Sequence, residues 1–340
     1  EEEPVEGFSA EEIRENYLTN HRRSGDEFYK LLLTRTDCDT LKAIVGRHEY
    51  PSPNSDRIIE NYNAFKDRLA AGSAVIETIC KGLGKLVMVD IALSREHDNP
   101  QLIFESMNST GRELSQADLI RNFVLMGLEH DYQTRLYEHY WHPMEQDFGQ
   151  AAYTAYFDSF MRHYLTVRTG SIPRLGDVYE AYKAYARQVQ SRGGTIEDLV
   201  KEVRIYARYY CVIALGHETG HRLIEAFQDI RELKVDVAYP FLLEVFDDFE
   251  KERLSDAEFF EVLRLVEAYV FRRAICAIPT NSLNKTFANF ARSIDKDNYL
   301  SSVRTYFFSM KSYRRFPRDE EFTQELKTRD LYNFPRRSYW

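Results

Sequence analysis

The stretch I-E-D-L-V-K-E-V-R-I-Y-A-R-Y-Y-C-V-I-A-L, residues 196–215, decides the fold class. Its apolar and aromatic residues include Ile196, Leu199, Val200, Val203, Tyr206, Ala207, Tyr210 and Ile213. Steps of three and four gather them on one face of a helix, and a strand would need a step of two. Gly216 follows at once, a residue that readily adopts the left-handed backbone of a helix end. The same spacing recurs on either side, in A-Y-T-A-Y-F-D-S-F-M-R-H-Y-L (152–165), D-V-Y-E-A-Y-K-A-Y (177–185) and Y-P-F-L-L-E-V-F (239–246). It also runs through A-E-F-F-E-V-L-R-L-V-E-A-Y-V-F-R-R-A-I (257–275). Breaks fall at T-G-S-I-P (169–173), S-R-G-G-T (191–195), G-H-E-T-G (216–220) and I-P-T-N (278–281). With only 15 Gly and 10 Pro in 340 residues, and 14% aromatic residues, the chain is built for helices packed on aromatic side chains.

Upstream the pattern changes. Ser9 and Glu12 form an S-x-x-E capping box and predict a short helix. K-L-L-L-T (30–34) reads as a strand, and L-K-A-I-V (41–45) as a helix capped by Asp37 or Asp39. A helical stripe covers Ile58, Ile59, Tyr62, Phe65 and Leu69, and residues 75–82 continue helical. K-L-V-M-V-D-I-A-L (85–93), rich in β-branched residues, is the strongest strand prediction. Asn99-Pro100 opens a further helix carrying Leu102, Ile103, Phe104 and Met107. The expected architecture is mainly α: a small α/β remnant within 1–150, a helical domain over 151–315, and a linker over 316–340.

No apolar run approaches the ~18 residues of a membrane span. The four cysteines, Cys38, Cys80, Cys211 and Cys276, form no C-x-x-C pair, so a reducing cytoplasm is the default. Net charge is −9, which argues against a general DNA-coating surface. Residues 303–340 differ: nine Lys/Arg against five acids give 9 − 5 = +4, leaving −13 elsewhere. Arg314, Arg315, Arg336 and Arg337 stand there among Tyr313, Phe316, Phe334, Tyr339 and Trp340. Such a segment could track a nucleic-acid strand. The acids that interrupt each basic cluster favour a solvated segment.

The H-E-T-G-H of residues 217–221 matches a zinc-helix pattern. Gly216 and Gly220 argue that the two histidines share no helical face, so no metal site is expected. Phosphate loops are absent, and no catalytic constellation is visible. F-R-R-A-I-C-A-I-P-T-N-S-L-N-K-T-F (271–287) reads as two capped helices packed through Ile275, Leu283 and Phe287, with Ser282 as the second cap and an anion site as the alternative. N-S-T-G-R-E-L-S-Q-A-D-L-I-R-N (108–122) is the most polar turn. Capping accounts for Gly111, Ser115 and Asp118, but not for Asn108, Ser109, Thr110, Arg121 and Asn122. A polar turn before a helix start, backed by Arg, suits a phosphate or another domain.

D-N-P-Q-L-I-F-E-S-M-N-S-T-G-R-E-L-S-Q-A-D-L-I-R-N-F-V-L-M (98–126) strongly resembles the signature of the GmrS part of GmrSD-type, modification-dependent restriction proteins. The 271–287 segment, K-L-L-L-T-R-T-D (30–37) and the Y-N-A-F helix (62–65) resemble the same family. The resemblance implies a ParB-like nucleotide-binding domain with a D-G-Q-Q-R motif, dependence on NTP and Mg, an HNH nuclease partner, and cleavage of modified phage DNA. Neither D-G-Q-Q-R nor an HNH motif stands in this sequence. F-P-R-R-S-Y-W (334–340) resembles the run-in to the nuclease domain. The resemblance therefore implies a central and helical portion, not catalytic by itself, of a type IV restriction endonuclease. It assigns Asn108, Ser109, Thr110, Gly111, Arg121 and Asn122 to nucleotide or interdomain contact.

Overall fold

A computed structural model describes residues 9–33, 35–72, 76–89, 103–104, 106, 114–217, 221–330 and 332–334. The chain divides into two compact units, Glu1–Ala92 and Leu93–Trp340. Both are helical, and the molecule is mainly α.

In the first unit, α1 (Ala10–Ile13) starts as predicted: Ser9 Oγ accepts from the Glu12 amide, and Glu12 accepts from the Ser9 amide. The helix runs on through one wider turn, Arg14–Leu18. Helix α2 spans Arg35–Gly46, beginning earlier than the 41–45 run suggested. Asp37 sits in its first turn, and its carboxylate accepts from Ser55 Oγ (2.5 Å) and Arg57 (2.7 Å), a link to α3 (Asp56–Ala70). Helix α4 is Ile76–Leu83.

The strands expected at 30–34 and 85–93 are not found in the described parts of those runs. The only β feature among the described residues is an isolated bridge between Thr19 and Tyr29. Leu31, Leu32 and Leu86 to Val89 lie exposed, Met88 at 96%. Side chains of this type favour a strand only by packing across a ladder, and no neighbouring strand supplies one among the described residues. The helix predicted from Asn99-Pro100 falls mostly outside the described residues; 103, 104 and 106 are helical.

The second unit is a helical bundle. Its helices are α5 (Gln116–Leu125), α6 (His130–Leu136), α7 (His142–Phe148), α8 (Gln150–Thr169), α9 (Val178–Ser191) and α10 (Ile196–Leu215). They are followed by α11 (His221–Glu232), α12 (Tyr239–Glu250), α13 (Asp256–Ile275), α14 (Leu283–Ala288), α15 (Tyr299–Ser309) and α16 (Asp319–Thr328). A turn of wider helix, Tyr137–Trp141, joins α6 to α7. Between α7 and α8 the chain turns a corner at Gly149, whose φ of 72° suits glycine, and α7 packs on both α8 and α10.

Helix α10 carries the face read from its sequence: Leu199, Val200, Val203, Tyr206, Ala207, Tyr210 and Ile213 are buried. Thr195 and Asp198 cap its start reciprocally, and Gly216 ends it at φ 78°. It packs on α12, which in turn packs on α8. Ring stacking ties the layers: Phe148 on Tyr210 (5.8 Å), Tyr209 on Phe246 (4.8 Å) and Phe249 on Phe259 (4.4 Å). Each such ring removes apolar area from water and adds about 0.5–1.5 kcal/mol of ring–ring preference. Asp248, only 2% exposed, is satisfied by Arg253 (2.8 Å), the Tyr299 hydroxyl (2.9 Å) and Lys296, which fastens α12 to α15. No helix among the described residues is long and apolar enough to cross a membrane.

His163 is buried in α8 against the rings of Tyr210 and Tyr239. Burial, aided by Arg162, pushes its pKa down to about 3. An unfolded histidine titrates near ~6.5, so below that pH the unfolded chain binds a proton that the folded chain refuses. Stability from this site is complete above pH ~6.5 and is lost as pH falls toward 3, at about 1.4 kcal/mol per pH unit. His163→Phe should remove that slope. Urea unfolding at pH 6.5 and 5.0 is expected to show the wild type losing about 2 kcal/mol more than the variant. Equal losses would mean that His163 is not the group responsible.

Candidate functional site

The polar turn singled out from sequence lies largely outside the described residues: Asn108, Ser109, Thr110 and Gly111 belong to the undescribed part. Its exit is described. Ser115 is the N-cap of α5 as predicted; its Oγ accepts from the Asp118 amide (3.1 Å) and donates to the Asp118 carboxylate (2.8 Å). The amides of Gln116 (3.3 Å) and Ala117 (2.8 Å) donate to Asp158, which reaches across from α8. A helix start presents free N–H groups and positive dipole, the usual attraction for phosphate. Here a carboxylate of the protein already occupies that place.

Arg121 is similarly engaged. It donates to Asp118 (2.9 Å) and, across to α7, to Glu145 (3.2 Å). Glu145 also accepts from the Tyr137 hydroxyl at 3.2 Å. Burial alone would lower the Arg121 pKa, but Tyr153, Asp118 and Glu145 together raise it, so the guanidinium stays charged. Asn122 is half-buried, and its carbonyl accepts from Met126 (2.8 Å) as α5 ends. Arg121 and Asp158 thus tie α5 into the bundle from two sides. The residue that sequence reading missed is Asp158. It stands inside an aromatic helix, where a lone acid reads as a solvent-facing position.

The second unusual segment, 271–287, packs as expected through Ile275, Leu283 and Phe287, all buried. Ser282 departs from its predicted role. It makes no side-chain cap to α14; its Oγ accepts from Arg273 (3.3 Å). Arg273 is 2% exposed and faces no carboxylate among the described residues. It donates to the carbonyls of Tyr313 and Pro279, both at 2.7 Å, and lies over the Tyr269 ring. Burial draws its pKa down. Arg272 donates to the Pro317 carbonyl (3.1 Å) and pairs with Asp319 (2.6 Å). The Tyr269 hydroxyl donates to the Arg314 carbonyl at 2.8 Å. Three residues of α13 therefore hold three carbonyls of one later segment.

The four arginines predicted to touch DNA divide. Arg336 and Arg337 lie outside the described residues. Arg315 is committed to Glu321 (2.5 Å) and the Ser312 carbonyl (3.1 Å). Arg314 lies over the Tyr313 ring at 5.8 Å. In the H-E-T-G-H segment, Gly216 ends α10, His217 lies beyond that end, and His221 opens α11, so the two histidines do not share a helix. Cys211 is buried, and that burial, with Asp147 nearby, lifts its pKa to about 12, which rules out a ready thiolate there.

Residues 6–125 match the family model of the GmrSD restriction endonuclease, N-terminal domain. The match ends at Leu125, the last residue of α5. No curated protein and no solved structure matches the chain.

Proposed function

We propose that this chain, GmrSD-type over residues 6–125, is the part of a restriction protein that joins its N-terminal domain to a nuclease acting on modified phage DNA. One observation carries the reading. The last helix of the matched stretch, α5, is also a member of the helical bundle, bound by Asp158 to α8 and by Arg121 to Glu145 on α7. The matched stretch therefore runs on into the second unit, and its last helix is held there by two long-range ties.

In this reading Asn108, Ser109, Thr110 and Gly111 contact nucleotide or the remainder of the nucleotide-binding domain. The described residues do not assemble a phosphate cradle: Asp158 holds the α5 amides, and Asp118 and Glu145 hold Arg121. NTP and Mg are accordingly assigned no step here. Arg121 is read as a positioning residue. An HNH nuclease domain would supply cleavage, and action on phage DNA would place the protein in the cytoplasm.

The test is plating efficiency. Cells expressing the gene that encodes this chain should plate phage with modified DNA bases orders of magnitude less efficiently than control cells. Phage with unmodified DNA should plate alike on both. Equal plating of a panel of modified phages would remove the proposal.

A further inference from the structure

We infer that residues 308–318 form a binding platform for single-stranded nucleic acid. The inference extends the restriction reading by giving the chain its own contact with an unpaired strand, and it rests on that reading for the biological source of the strand. The segment is fixed chiefly by its backbone. Tyr269, Arg272 and Arg273 hold the carbonyls of Arg314, Pro317 and Tyr313, and Phe316 packs on the rings of Tyr269 (5.6 Å) and Phe307 (5.8 Å). Met310 packs on the core, Pro317 is buried and Arg315 pairs with Glu321, whereas Phe308, Lys311, Tyr313 and Arg318 stay exposed and Arg314 is half-buried.

Those side chains have a definite chemistry. Phe308 and Tyr313 are large rings exposed at 59% and 57%. Phe308 is braced by Phe316 at 5.0 Å, and Tyr313 carries the Arg314 guanidinium over its ring. Of the nearby acids, Asp319 and Glu321 are taken by Arg272 and Arg315, and Glu320 is exposed with no ion pair among the described residues. Lys311, Arg314 and Arg318 have no ion pair among the described residues. Arg318 is moreover the N-cap of α16, where the charge of its side chain opposes the helix dipole.

Exposed rings beside unpaired cations match a strand whose phosphates are negative and whose bases present π-faces. A duplex hides those faces, whereas an unpaired strand offers a stackable base beside every phosphate, so rings and cations are both engaged along its length. The carbonyl grip sets the platform's backbone in advance, which lowers the ordering cost of binding.

The experiment is fluorescence anisotropy of the purified full chain with a labelled mixed-sequence single strand, and with its duplex, across a salt series. The single strand should bind more tightly. Tyr313→Ala and Phe308→Ala should each weaken single-strand binding on the order of tenfold while leaving duplex binding nearly unchanged. The triple variant Lys311→Ala/Arg314→Ala/Arg318→Ala should flatten the slope of log K against log salt by about 2. Circular dichroism of each variant checks that these surface changes leave the helices intact. Equal affinity for duplex, or ring variants that bind the single strand like wild type, would overturn the inference. Neither result bears on phage plating, so failure here is distinct from failure of the restriction reading.

Discussion

Phe290→Ala should destabilise the bundle by about 3–5 kcal/mol, the usual cost of truncating a fully enclosed ring. Phe290 is completely buried and sits between two faces, stacked on Phe241 at 4.2 Å and on Tyr306 at 4.0 Å, with Phe307 edge-on at 4.7 Å. Phe241 belongs to α12, and Tyr306 and Phe307 to α15, so the ring is the material between two helices. Collapse into the vacated space is resisted because α12 and α15 are also fixed to each other by Asp248 with Tyr299 and Lys296. The cavity should therefore persist, which places the cost toward the upper end. Urea unfolding followed by circular dichroism measures it, and a loss below about 1 kcal/mol would mean that the gap closes freely.

Asp158→Ala should cost about 2–3 kcal/mol. It removes two charge-assisted hydrogen bonds from the start of α5 and a favourable interaction with its dipole. The Gln116 and Ala117 amides cannot be satisfied within the helix, since its first N–H groups have no intrahelical acceptor. Hydrogen exchange should speed up at 116–120 and remain unchanged in α13. Asp158→Asn keeps an acceptor without the charge and should fall between wild type and Ala. If the seating of α5 in the bundle matters for the proposed restriction, the Ala variant should also lose restriction at temperatures where it is still folded. Unaltered exchange at Gln116 and Ala117 would show that Asp158 is not their acceptor.

These two positions illustrate what was readable from the sequence. Helices α8, α9, α10, α12 and α13 were legible because their apolar steps of three and four are local, and Gly216 and Gly170 mark ends by backbone geometry alone. Ser9 with Glu12, and Ser115 as a cap, were legible because both partners lie within one turn. The described part of the 85–93 run, residues 85–89, was misread because β-branched residues only prefer a strand once a neighbour supplies a ladder, and composition does not report the neighbour. The long-range ties were invisible for the same reason. Asp158 serves amides 41 and 42 residues earlier, and Arg273 serves a carbonyl 40 residues later. Nothing near either residue in sequence announces that task. The candidate turn itself was found from its polarity. What structure added was that Arg121, expected to contact nucleotide or another domain, is bound between two carboxylates of its own unit.

The hold of Tyr269, Arg272 and Arg273 on the main chain of residues 313–317 has an evolutionary consequence. Carbonyl oxygens are common to every amino acid. Substitutions at 311, 313, 314 and 318 can therefore accumulate without unseating the segment, while a change at the three gripping residues would release all of it. Selection can thus rewrite what this surface recognises, one residue at a time, on an anchorage that stays constant. Under the restriction reading proposed above, that separation of anchorage from display lets binding preference drift faster than the fold.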